Sequence, residues 1–540
     1  MMSLPWLHHL MLAPVLLPLI FGAGLILVNE RHHQKKFFIN LASTLAMLAT
    51  SVALLLLADH EYWPDGIGLY LSANWTAPFG IVLLVDRLTA VMLLLASILA
   101  SASLIFAMIR WSRIGVHFHS LFQFLLMGIN GAFLTNDLFN LFVFFEVMLA
   151  ASYGLILHGY NSMRIRAGMQ YIVVNLLASF FFLIGVALIY ATTGTLNMTD
   201  LAMRLSMLSP EDLMLLKIGV VILALAFLTK SAMWPLGFWL PTTYSAASPP
   251  VAAMMVLMTK VGVYVLIRLW LLLFSEGPAA GFGFDLLLWG GLVTLAFGTI
   301  GILASQEPGR MAGYAAVISS GTLLAAVGYG QPALINVALF YLISSTLAVA
   351  AFLLLIELIE RIRTPGAAML ALTMEAFAVE DKPEEPVGKA IPGALAFLGL
   401  AFACCALIIT GLPPLSGFIA KFSLFHRLLN PTDLLIERGI VTWVVIALVV
   451  LSGLAGIISL MRFGVRTFWA VQNPVAPHLQ RSEVMPVITL LLACLLLTVQ
   501  AGPTMAYLER STEALNQPEV YLNRLGSTAA VGGTFGESDQ

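Results

Sequence analysis

LFNLFVFFEVMLAASYGLIL, residues 138–157, reads as a membrane-spanning helix with one acidic residue inside it. About twenty apolar residues in an α-helix cross the hydrocarbon core of a bilayer. Glu146 stands near the middle of this run, as far from either water surface as the segment allows. On insertion scales a charge at that depth costs about 2.5–3.5 kcal/mol. Such a residue persists where it pairs, meets enclosed water or takes part in moving charge. What surrounds it decides among these.

The whole chain has the same character. Of its 540 residues, 60% are hydrophobic and 10% charged. The mean hydropathy is +0.96. Ordinary soluble domains carry about 25% charged residues, so this composition excludes that class. The expected fold is an all-α polytopic membrane protein of about fourteen transmembrane helices. Their approximate cores are 10–28, 37–58, 80–109, 118–136, 138–158, 168–191, 214–240, 248–274, 284–304, 311–330, 333–358, 392–428, 440–469 and 484–505. The N-terminal stretch MMSLPWLHHLML lacks a basic n-region and a small-residue cleavage site, so it reads as a retained first helix.

Between spans, residues 59–78 are aromatic and turn-rich and read as an ordered external hairpin. The polar insertion 361–391, containing EDKPEEP, reads as a solvated cytoplasmic loop, and the Gly-, Ser- and Thr-rich end from Asn523 as a disordered tail. Basic residues cluster in the loops that join odd-numbered to even-numbered spans. They include Arg31, Lys35, Lys36, Arg110, Arg113, Arg164, Arg166, Arg361, Lys382, Lys389 and Arg466. Positive residues favour the cytoplasmic side, so both termini are expected outside.

Several function classes drop out. A net charge of −2 gives no electrostatic footprint for nucleic acid. Cys404, Cys405 and Cys494 lie in apolar runs without a disulfide framework or metal-ligand spacing. Neither a phosphate-cradling glycine loop, a nucleophile elbow nor a cofactor fingerprint is present, so no cofactor or metal is expected. Asp86 reads as a cap at the start of the third span and Asp137 as an interfacial residue. Lys217 is placed to snorkel, and Arg268 and Arg310 read as end-of-helix residues.

Glu146 is not the only charge at membrane depth. Lys230 ends IGVVILALAFLT, Lys260 interrupts PPVAAMMVLMTKVGVYVLI, and Lys421 follows GLPPLSGFIA. Two of these spans also carry helix breakers. Pro235 and Pro241 follow Lys230; Gly411, Pro413, Pro414 and Gly417 precede Lys421. Proline removes a backbone donor and clashes with the preceding turn, so the seventh and twelfth helices are expected to break within the membrane. Interrupted helices at matching places in two halves point to a transporter's ion site. Here the breaks lie five helices apart, and an odd shift inverts the repeat. Helices 4–8 (within residues 110–280) and 9–13 (within 281–470) are the expected repeats. They are flanked by 1–109 and by 471–540, which holds helix 14 and the tail.

Chemically, this set can carry protons. Apolar surroundings disfavour an ammonium group and a neighbouring carboxylate favours it. A lysine beside Glu146 therefore keeps its proton while paired and gives it up when the pair separates.

TNDLFNLFVFFEVMLAASYGLIL, FLTKSAMWPLGFWLP, YSAASPPVAAMMVLMTKVGVYVLIR and TGLPPLSGFIAKF together resemble the antiporter-like subunits of proton-pumping membrane complexes over residues 80 to 470. That superfamily includes Mrp-type (Mnh, Pha or Sha) multisubunit cation/proton antiporters and the pumping subunits of NADH–quinone oxidoreductase and membrane-bound hydrogenase. NDLFNLFVFFEVML followed by ASYGL is most similar to the D-type Mrp subunit, and FYLISSTLAVAAFLLLIELI resembles its proteobacterial branch.

The resemblance implies a Glu146–Lys230 switch pair, a relay at Lys260 and a terminal lysine at Lys421. Where relatives often carry a histidine in the eleventh helix, this chain has Ser344 and Ser345, which implies a relay through water held by these hydroxyls. It further implies a bacterial inner-membrane Na⁺ or K⁺/H⁺ antiporter component without catalytic chemistry. Its expected partners are a larger homologous subunit and small membrane subunits. The alternative is a proton-pumping subunit of a respiratory oxidoreductase or membrane-bound hydrogenase.

Overall fold

The computed structural model describes residues 6–75, 79–159, 161–363, 392–430, 439–469 and 478–527. Among these, thirteen helices are long and apolar enough to cross a membrane, and the shorter apolar Phe118–Leu134 brings the set to fourteen. In chain order they are α1 (Leu7–Leu27), α2 (His33–Asp59), α3 (Arg87–Ala107), α4 (Phe118–Leu134), α5 (Leu138–Ile156) and α6 (Ser162–Thr193). A broken α7 follows, as α7a (Pro210–Lys230) and α7b (Leu240–Ala246). Next come α8 (Pro249–Phe274), α9 (Phe284–Ala304), α10 (Pro308–Gly328) and α11 (Pro332–Glu360). The second broken helix is α12a (Gly393–Thr410) and α12b (Ser416–Leu429). The last two spans are α13 (Gly439–Gly464) and α14 (Arg481–Val499).

The two five-helix units pack alike. In the first, α4 lies against α5, α5 against α6, α6 against α7, and α8 against α4, α5 and α7. In the second, α9 lies against α10, α10 against α11, α11 against α12, and α13 against α9, α10 and α12. Contacts between α8 and α11 join the units. The apolar stretch of α8 is 100% buried and those of α10 and α11 are 94% buried, so these three helices form the centre. Most polar residues on them are buried, and a buried polar group is ordinarily hydrogen-bonded.

Hydropathy misplaced three segments. The third span was expected from residue 80, but Val82–Val85 is a strand paired antiparallel with Gly68–Leu71. Asp86 ends it and caps α3, its Oδ1 accepting from Thr89 N at 2.8 Å. A short apolar run does not itself distinguish strand from helix. Arg268, read as an end-of-helix residue, lies near the end of α8 and has a partner the sequence did not show: it pairs with Asp86 Oδ2 at 2.7 Å, with both side chains 6% exposed. Residues 501–527 are also more ordered than the composition implies, and the rest of the expected tail, 528–540, lies outside the described residues. Helices α15 (Ala501–Leu515) and α16 (Pro518–Ser527) follow α14, so residues 523–527 are helical, not a disordered tail. Arg510 pairs with Asp59 at 2.8 Å, Arg524 with Asp65 at 2.6 Å, and Tyr521 donates to Asp86 at 2.9 Å. The insertion 361–391 opens with a short turn at Arg361–Arg363, and residues 364–391 lie outside the described residues.

Candidate functional site: a line of buried lysines

Lys230 is the last residue of α7a. The chain breaks after it through Ala232, in the left-handed region (φ 59°), and a cis Trp234–Pro235 peptide bond. The polar groups freed by the break find protein partners. Trp234 N donates to Thr294 Oγ1 on α9 at 2.8 Å, and Trp239 Nε1 donates to Thr229 O at 3.2 Å. This satisfies the condition under which irregular backbone survives at membrane depth.

Lys230 is 1% exposed. It donates to Tyr171 Oη at 3.1 Å and Asn175 Oδ1 at 3.2 Å, both on α6. Its ammonium also faces the Phe145 ring at 5.7 Å. Tyr171 Oη lies 2.8 Å from Ser152 Oγ on α5, and that hydroxyl donates to Leu149 O at 2.7 Å. Since Ser152 spends its hydrogen on Leu149, Tyr171 donates to Ser152. The donors thus run in one direction from the lysine.

Glu146, one residue beyond Phe145, lies within electrostatic reach of Lys230. The two do not form an ion pair within 4 Å in this structure. Glu146 Oε1 is instead buried without a hydrogen-bond partner among the described residues. Tyr153, two turns along α5, likewise has a buried hydroxyl without a partner among them.

Lys260, on the fully buried α8, makes the second chain. Its Nζ donates to Ser319 Oγ on α10 at 2.7 Å, and Ser319 lies 2.8 Å from Ser345 Oγ on α11. Ser345 in turn donates to Leu342 O at 3.2 Å. Helices α8 and α7a pack closely at Gly262, two residues after Lys260. A Cβ added at Gly262 would lie 2.8 Å from Phe227 O and 3.3 Å from Lys230 Cβ, so only glycine fits the crossing.

Lys421 closes the line from α12b. The twelfth helix breaks at Gly411 (φ 81°) and a cis Pro413–Pro414 bond, and Lys421 Nζ donates to Thr410 O at 2.8 Å. Lys230 and Lys421 therefore occupy equivalent electrostatic positions. One ends α7a and the other reaches the end of α12a, and the C-terminal pole of a helix favours a cation. Ser344 Oγ sits 2.8 Å from Ser416 Oγ, the first residue of α12b. A narrow cavity with room for about one water molecule lies between Ser344, Ser345, Gly417 and Ser452.

The structure thus brings Lys260 and Ser345 into one network and sets Ser344 against α12b, while Pro235, Pro413 and Pro414 mark the breaks. Glu146 and Lys230 are near but not joined. Sequence reasoning missed Ser152, Tyr171, Asn175, Ser319 and Ser416. The available signal was weak: a Tyr171/Asn175 pair four residues apart and lone serines inside apolar runs, which hydropathy averages away.

Two interrupted helices and a buried core holding hydrogen-bonded lysines define a class: a polytopic membrane protein built around buried ionisable groups. The chain belongs to the NADH:quinone oxidoreductase/Mrp antiporter transmembrane family, which it matches over residues 135–447. It is 53% identical to the D component of the probable K⁺/H⁺ antiporter of Rhizobium meliloti, an alignment covering 98% of this chain and 99% of that one. It is 33% identical to the D component of the Na⁺/H⁺ antiporter of Alkalihalophilus pseudofirmus, covering 96% and 99% respectively. In fold it resembles a chain of the Mrp complex from Dietzia sp., with a TM-score of 0.79, 24% identity and coverage of 96% and 99%.

Proposed function

We propose that this chain is the D-type component of a multisubunit Na⁺ or K⁺/H⁺ antiporter in a bacterial inner membrane, with both termini on the external side. It admits protons down the proton-motive force in exchange for cation export. Together with whole-length likeness to antiporter subunits, the observation that carries this reading is the connected Lys260–Ser319–Ser345 network beside two lysine-bearing helix breaks. It is a transporter component and not an enzyme. Its partners are the other subunits of the complex, including a larger homologous one and small membrane subunits. The two repeats, 110–280 and 281–470, serve as its two half-channels.

Glu146 is the switch. When its carboxylate approaches, Lys230 holds its proton; the present arrangement, with Lys230 turned to Tyr171 and Asn175, is the separated state. A proton given up by Lys230 is taken by Lys260 across the Gly262 crossing. From Lys260 it moves over Ser319, Ser345 and the adjoining cavity toward Lys421, which exchanges it with the far side. Hydroxyls fill the role that a histidine has in relatives, because each both donates and accepts a hydrogen bond.

A component of a respiratory oxidoreductase pump shares the fold, and purification distinguishes the two. The complex is extracted in mild detergent and the accompanying proteins are identified by mass spectrometry. Antiporter subunits without flavin or iron–sulfur proteins support the proposal; stoichiometric redox subunits overturn it.

A further inference from the structure

A cavity of about 260 Å³ opens at one end of the bundle, between the start of α6, the end of α7b and the start of α10. Its polar lining is Ser162, Arg166, Gln170, Thr242, Ser245 and Arg310, and none of its lining residues is acidic. Arg166 has neither an ion pair nor a hydrogen bond to another described residue. Arg310 pairs with Glu307 through Nε at 3.0 Å on an exposed surface, which leaves its remaining N–H groups available.

The walls are fixed by the fold. Arg164 joins the start of α6 to the end of α7b, donating to Ala246 O at 2.9 Å and Gly159 O at 2.8 Å. At the third wall, α10 begins at Pro308 after Glu307 with no side-chain cap, which leaves the positive pole of the helix without a capping side chain. A Cβ on Gly309 would lie 2.9 Å from Ser245 Cα, so this turn is pressed against the end of α7b. Two guanidinium groups, several hydroxyls and an uncapped helix start make a site for an anion with several acceptor oxygens.

An apolar track leads away from it. Met169, Val173, Leu177 and Phe180 of α6 are 52%, 60%, 56% and 60% exposed. Their spacing places them in one stripe down the helix from the cavity. A basic pocket between membrane helices, continuous with an exposed apolar stripe, matches a phospholipid: phosphate above, acyl chain below. We propose that this cavity binds the phosphate of an anionic phospholipid, with an acyl chain along the α6 stripe. Within the cavity lining Thr242 Oγ1 donates to Gln170 Oε1 at 3.4 Å, which joins α7b to α6.

Native mass spectrometry of the purified complex tests this, comparing the natural chain with an Arg166→Gln/Arg310→Gln variant and an Arg31→Gln control. The natural complex and the control should retain an anionic phospholipid that the double variant retains at least about fivefold less. The single variant Arg166→Lys, which keeps the charge, should retain it. Thermal unfolding in nanodiscs should rise with phosphatidylglycerol over phosphatidylcholine in the natural complex, and less in the double variant. Equal lipid retention in all variants overturns the proposal. So does protection by inorganic phosphate alone with no preference for the anionic lipid, which would identify a free phosphate as the ligand.

Discussion

Lys260 Nζ, on the fully buried α8, lies 2.7 Å from Ser319 Oγ, and Ser319 lies 2.8 Å from Ser345 Oγ, joining three packed helices. Ser319→Ala removes the hydrogen-bond acceptor of Lys260 and, in the proposed mechanism, interrupts the relay between the half-channels. Cation-dependent dissipation of a pH gradient in everted vesicles should fall on the order of tenfold or more, the scale of losing a positioned proton-transfer partner. Ser319→Thr, which keeps the hydroxyl, should retain most of the activity. If Ser319→Ala is as fast as the natural protein, protons do not pass this way.

The crossing of α7a and α8 sets a second prediction. Gly262→Val would force Phe227 O and the Lys230 backbone away from α8, because even a single added carbon would come within 2.8 Å of that carbonyl. The expected outcome is transport reduced by at least an order of magnitude, with Gly262→Ala intermediate. Vesicle assays normalised to complex content by immunoblot would check both.

The Asp86–Arg268 pair predicts stability and not transport. Asp86→Ala strands a buried guanidinium and removes the cap of α3, and breaking such a pair costs roughly 3–5 kcal/mol. The complex should unfold at a clearly lower temperature by differential scanning fluorimetry. By contrast, Arg204 lies away from the lysines and pairs with Asp200 and Thr193 O near the end of α6. Arg204→Ala should leave transport nearly unchanged.

Much of this was legible in the sequence because a membrane imposes strong rules. The spans, the breaks at Pro235 and Pro413–Pro414, and the depth of Glu146, Lys230, Lys260 and Lys421 follow from hydropathy and the chemistry of proline. What pairs with what does not. Arg268 reads as an end-of-helix residue, and only the fold brings it and, through α16, Tyr521 onto the same Asp86 carboxylate. That helix is amphipathic and short, so composition alone made it a tail. The hydroxyl partners escaped because an uncharged serine such as Ser319 barely alters an average over eighteen residues. Glu146 and Lys230 show the opposite limit. Depth and spacing bring the two close, but Tyr171 and Asn175 compete for the lysine and hold it in this structure.

That competition makes the two proposed switch residues the sharpest test. Lys230→Ala and Glu146→Gln are introduced separately, and everted vesicles carrying the assembled complex are assayed for K⁺- and Na⁺-dependent dissipation of a respiration-driven pH gradient. Both variants should lose the activity while the other components still copurify. Wild-type rates in either variant would contradict the account, since protons would then cross without the carboxylate placed to control Lys230.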